Sequence, residues 1–98
     1  MSELRFAWDP VKAAANRRKH GVSFEEAQTV FSDEYALLLD DPDHSAAEDR
    51  FILLGLSAAL RILVVVHCYR VQDDVIRIIS ARRATRHERE SYARRWQP

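Results

Sequence analysis

Two polar side chains, His67 and Arg77, interrupt strand-like runs that are otherwise apolar or alternating, and two more arginines, Arg70 and Arg82, sit near the ends of those runs. An arginine stabilises negative charge as it builds up on a phosphate, and a histidine, with an ordinary pKa of ~6.5, exchanges protons near neutrality. Metal-free cleavage of an RNA phosphodiester asks for these functions: an activated 2'-hydroxyl, a stabilised pentavalent phosphorane and a protonated 5'-oxygen. The residues alone also admit a plainer reading. In it His67 is a histidine satisfied inside the fold, and Arg77 is a charge that keeps an edge strand soluble.

The two runs that carry these side chains have a clear period. In residues 61 to 70, Ile62, Val64, Val66 and Cys68 alternate with Leu63, Val65, His67 and Tyr69; in residues 74 to 82, Ile76 and Ile78 alternate with Val75, Arg77 and Ile79. If the all-apolar sides meet the helices and an odd number of residues connects the strands, His67, Tyr69 and Arg77 share the uncovered face. Arg70 and Arg82 then lie on the other side, near the strand ends.

The remaining elements must position this pair of strands. RFAW at residues 5 to 8 predicts a short strand, and Asp9-Pro10 supplies a helix N-cap and the residue best tolerated in a first turn. The helix runs to Gly21, and Lys12, Asn16, Lys19 and His20 form a polar stripe along it. Lys12, Lys19 and His20 are the candidate RNA-binding residues. With Arg77 and at least one of Arg70 and Arg82, the stripe is expected to line one positive concavity. Ser23 and Glu26 form a capping-box pattern ahead of a second short helix, and Thr85 and Glu88 do the same for a C-terminal helix. Between them lie a β-prone stretch at 35 to 40, the acidic loop DPDHSAAED, and three strand runs that read as an antiparallel meander. The order β-α-α-β-β-β-β-α predicts an α+β fold, a mainly antiparallel sheet with helices packed on one face.

Length and composition narrow the possibilities. Ninety-eight residues, 47% hydrophobic and 31% charged, fit one domain over 1–98. The absence of a leader or of a long apolar stretch points to the cytoplasm, and the lone Cys68, inside an apolar run, reads as a buried structural thiol. The zero net charge conceals a segregation. Residues 1 to 21 hold five Lys or Arg against two acids, 22 to 49 hold nine acids and no Lys or Arg, and 50 to 98 hold ten Arg against four acids. Such a distribution fits either a polyanion ligand or internal pairing of the segments. Two glycines form no phosphate-cradling loop, and no zinc spacing is present, so no cofactor and no metal are expected. Asp40, Asp41, Asp43, His44 and Glu48 are read as a solvated acidic loop rather than a cation site.

Three stretches, FAWDPVKAAANRRKHGVSFEEAQTVF, LDDPDHSAAEDRFILLGLS and RIISARRATRHERESY, together resemble the BrnT family of type II toxins, a branch of the RelE-like ribonucleases. The resemblance covers nearly the whole chain. It implies a RelE-like α+β fold, metal-independent endoribonuclease activity, and neutralisation by a BrnA-type antitoxin whose ribbon-helix-helix part is the only route to DNA. It also implies that Arg70 and Arg82 correspond to active-site arginines and that Lys12 and His20 belong to a basic first helix. Against this stand two other classes, a non-catalytic module that binds nucleic acid or antitoxin, and a subunit that only masks a DNA-binding partner.

Overall fold

The computed structural model describes residues 4–40, 50–70, 72 and 74–96, with Arg70 and Trp96 described by backbone alone. The helix signals in the sequence operate as physical caps. A strand β1 (Arg5–Ala7) leads into helix α1 (Pro10–His20), whose Asp9 cap accepts from the Val11 N–H and which ends at Gly21 in the left-handed region, φ 70°. Helix α2 (Phe24–Thr29) is capped by the Ser23 hydroxyl, which accepts from the Glu26 N–H, and tightens into a 3₁₀ turn at Val30–Ser32. Strands β2 (Leu37–Asp40), β3 (Arg50–Leu56), β4 (Ile62–Arg70) and β5 (Val75–Arg83) follow. Helix α3 (Arg86–Ala93) closes the described chain with a full capping box between Thr85 and Glu88 and a 3₁₀ turn at Arg94–Trp96. The expected order of elements and the α+β class hold. Of the acidic loop, Asp40 ends β2, and residues 41–49 lie outside the described residues.

The sheet order is β1-β5-β4-β3-β2, with β1 parallel to β5 and every other pair antiparallel. Side chains alternate across a strand, so neighbours in sequence fall into different cores. Leu53, Leu63, Val65, Ile78 and Ala81 pack beneath α1 and α2 with Val22, Phe24, Ala27 and Val30. Leu54 and Val64, on the opposite face, pack with Ala84 and with Tyr92 of α3. The one-face expectation therefore holds for α1 and α2 and not for α3. The middle strands are apolar on both sides, which is the pattern of strands covered twice and gives no period from which a bare face can be read. Gly55 is required at its site because a Cβ there would come within 2.9 Å of Ala36 Cβ and Val30 Cγ1.

The register corrects a second expectation. Arg70 pairs with Val75, so four residues rather than an odd number connect β4 and β5. Further along, Val66 faces Ser80 while His67 faces Ile78, leaving Ile79 as the extra residue of a bulge. Cys68 faces Arg77 and Val64 faces Arg82. Cys68 and Val64 are four residues apart and share a face, so Arg77 and Arg82, five apart, share it too, because the bulge absorbs the odd residue. His67 and Tyr69 lie on the other face, beneath the helices. His67, Tyr69 and Arg77 are thus not grouped on an uncovered face.

Candidate functional site

The face that carries α3 is only half covered by it. Directly opposed residues on three strands build rows across this face: Arg50, Cys68 and Arg77 in one, Ile52, Val66 and Ser80 in the next, Leu54, Val64 and Arg82 in the third. Tyr92 packs on the Leu54 and Val64 end. The row of Arg50, Cys68 and Arg77 lies past this cover, and all three are half-buried. Cys68 is therefore not the buried thiol expected, but sits between two arginine-bearing strands. Strand spacing of ~4.8 Å puts the Arg50 and Arg77 backbones about 10 Å apart, a separation that two long side chains readily close around one anionic group. Arg70 ends β4 in register with Val75, beyond this row.

Arg82 is engaged. Its guanidinium donates two hydrogen bonds to Glu88 of α3, at 2.8 and 2.9 Å. The Glu88 carboxylate also accepts from the Thr85 N–H at 2.8 Å, so one residue completes the cap of α3 and fixes Arg82 to it. The hydrogen bonds from Arg82 hold the Glu88 carboxyl down to about 2, against the opposing effect of partial burial. A carboxylate of that basicity is a poor proton acceptor at neutral pH. Arg82 is consequently oriented by α3.

The first helix meets this face at the edge of β5. Asn16, buried in the middle of the polar stripe, donates to the Ala81 and Val22 carbonyls and accepts from the Ala81 N–H, at 2.8, 3.0 and 3.1 Å. At 3.6 residues per turn, Lys12 and Lys19 lie about 40° and 60° around the helix from Asn16, on the side away from Ala13. Ala13 packs into the α1 and α2 core. Both lysines are exposed; His20, half-buried, lies between Asn16 and Ala13 around the helix. The stripe thus divides into a docking residue, two exposed lysines and a half-buried histidine.

His67 belongs to a different environment. It is buried on the α1 and α2 face, with its ring 4.8 Å from that of Phe31, edge to face, and its Nδ1 3.3 Å from the Val65 carbonyl. Burial lowers its pKa, and the contact with Val65 only partly offsets this, so the ring is neutral at pH 7. Sequence reasoning missed Arg50 and Glu88. Arg50 had a weak signal as the first residue of a strand run, and Glu88 was seen only as a capping residue. Among the described residues no three His, Cys, Asp or Glu gather to hold a metal, and no helix is long and apolar enough to cross a membrane.

A five-stranded, mainly antiparallel sheet with a helical layer on one side and an arginine-bearing face on the other defines a small α+β protein with one cationic side. The chain belongs to a family of ribonuclease toxins: the family model for the ribonuclease toxin BrnT of type II toxin-antitoxin systems matches residues 8–88. Its structure is similar to the crystal structure of the Brucella abortus ribonuclease toxin BrnT, with a TM-score of 0.64 and 26% identity over 86% of this chain and 100% of the other. No curated protein matches the chain in sequence. Membership of a toxin-antitoxin family implies an RNA substrate and an antitoxin partner.

Proposed function

We propose that this chain is a metal-independent endoribonuclease whose reaction centre lies on the arginine face, with Arg77 as the phosphate-stabilising residue. The observation that carries the reading is the β4 and β5 register, which groups Arg50, Arg77 and Arg82 on one side of the sheet. Such guanidinium groups, set in a partly apolar surface, are suited to charge that develops on a phosphorane. Arg70, the last residue of β4, is counted among the residues that act on the RNA. Lys12 and Lys19, with His20 behind them, hold the RNA backbone rather than the scissile phosphate. Arg82 acts as a positioning residue through its pair with Glu88. His67 has no part in the proton transfers in this reading, since the sheet separates it from Arg77.

The partner in this proposal is a BrnA-type antitoxin with a ribbon-helix-helix DNA-binding part, and the complex works in the cytoplasm. The test uses the purified chain and a labelled single-stranded RNA in the presence of EDTA. Cleavage persists, Arg77→Ala lowers its rate by about 10²–10³-fold, as loss of a charge-stabilising donor does, and Arg77→Lys recovers only part of it because a point charge does not reproduce the planar fork. RNA affinity falls with rising salt through counterion release. Loss of activity in EDTA, restored by a divalent ion, overturns metal independence. An Arg77→Ala protein that is folded and cuts at the wild-type rate removes Arg77 from the site.

A further inference from the structure

The opposite face carries a groove of about 420 Å³ that the cationic site does not use. Its walls are Leu4, Phe31, Leu38, Phe51 and Tyr69, with the buried His67 among them. Leu4 is 54%, Leu38 61% and Tyr69 40% exposed, so three large apolar side chains on one small patch are left in water. Apolar surface gathered in this way marks a docking site more often than a bare exterior.

The charge around the groove selects among occupants. Asp33 lines it, and Glu34 beside it is exposed. Asp40 is the cross-strand partner of Phe51 and therefore stands on the groove side of β2. Asp74 accepts a 2.7 Å hydrogen bond from the Tyr69 hydroxyl at the other end. The carboxylates of Asp33, Asp40 and Asp74 border an apolar centre, and the nearby Arg95, which donates to the Tyr35 carbonyl, offsets that of Asp33. Such a rim repels a phosphate chain and attracts a segment whose apolar side chains are flanked by Lys or Arg.

We propose that this groove seats an apolar, basic-flanked segment of the antitoxin, so that the inhibitor anchors on the face opposite the arginines. The inference rests on the ribonuclease-toxin reading for the identity of the partner, and on the groove itself for the chemistry of the segment. Anchoring and blocking are then separate tasks for two parts of the antitoxin.

The experiment is calorimetric titration of the full-length chain with its purified full-length antitoxin, alongside RNA cleavage by the free chain. Leu38→Arg places a charge on an exposed position and spares the fold. It weakens antitoxin binding by at least about thirtyfold, the loss of a central apolar anchor, and leaves cleavage by the free chain unchanged. Asp40→Lys with Asp74→Lys weakens binding by about tenfold and reduces its salt dependence. Unchanged affinity in Leu38→Arg overturns the proposal. So does sedimentation of the free wild-type chain as a dimer that Leu38→Arg dissolves, which assigns the groove to a second copy. A tenfold gain of RNA affinity on charge reversal, with antitoxin binding unmoved, likewise overturns it. A chain that cuts no RNA yet loses antitoxin binding with Leu38→Arg sinks the ribonuclease reading and leaves the groove standing.

Discussion

The two faces of one sheet differ in what their polar groups do. Beneath α1 and α2 the sheet is closed by Phe24, Val30 and Leu63, and its polar side chains are neutral or internally bonded: His67 buried, Asn16 saturated by three backbone groups. On the α3 face the covering is partial, and the charged groups of the strands are guanidinium groups, with Arg82 held by the Glu88 carboxylate through two bonds. The lesson is that charge is partitioned by face rather than by stretch of sequence. Substitutions in the closed part of the first face should cost stability, and substitutions of the arginines on the second should cost rate.

The largest expected effect lies on the closed face. Phe24 is fully buried, and Phe24→Ala should cost about 3–5 kcal/mol in denaturant unfolding, whereas Arg77→Ala, half-exposed on the other face, should stay within about 0.5 kcal/mol of wild type. Equal losses from the two substitutions would break the contrast. Next comes Asn16→Leu, which leaves the Ala81 N–H and two carbonyls without their bonds and should cost about 1–3 kcal/mol; a neutral result would mean that solvent replaces the amide there. A smaller effect belongs to the pair that holds α3. Glu88 titrates at about 2 in the fold against 4.5 ordinarily, so its contribution is present above pH 4.5 and is lost as pH falls toward 2. Glu88→Gln should cost about 1 kcal/mol at neutral pH and flatten that acid limb, and a limb unchanged in the variant would assign it to other carboxylates.

The smallest effect sharpens the position of His67. Its folded pKa is lowered by burial, so the unfolded chain binds the extra proton first. Stability should be constant above ~6.5, decline as pH falls from there to the lowered folded value, and change no further on this account below it. A denaturation series in which His67→Leu removes the decline supports the buried, neutral ring; a decline that persists places it elsewhere.

Much of the secondary structure was legible because it is set by neighbours in sequence. Asp9, Pro10 and Gly21 bound α1, and Thr85 with Glu88 starts α3, through contacts spanning a few residues. The grouping of side chains was less legible, because it depends on a single inserted residue. Nothing in VIRIISARR says that Ile79 bulges, yet that bulge brings Arg82 to the face of Arg77, while the four-residue connection after Arg70 is what parts Arg77 from His67. Asn16 misled for a related reason: its spacing with Lys12 and Lys19 reads as a solvent stripe, while its partner, Ala81, is 65 residues away. Arg50 joins the site only through the β3 and β4 pairing, a non-local fact that composition does not hold.

The side chains at two strand ends have a further consequence. β1 stops at Ala7, level with Arg77, and β2 begins at Leu37, level with Leu54, so each short outer strand leaves part of its neighbour without a strand partner on that side. At both places a side chain stands in for a peptide unit. The Asn16 amide gives Ala81 one donor and one acceptor, and the Asp33 carboxylate accepts from the Leu56 N–H at 2.8 Å. A side chain cannot propagate a ladder as a peptide does, so these two positions are closed to another chain that seeks to add itself there. A protein whose free form must await its inhibitor is thereby guarded at these positions against edge-to-edge aggregation.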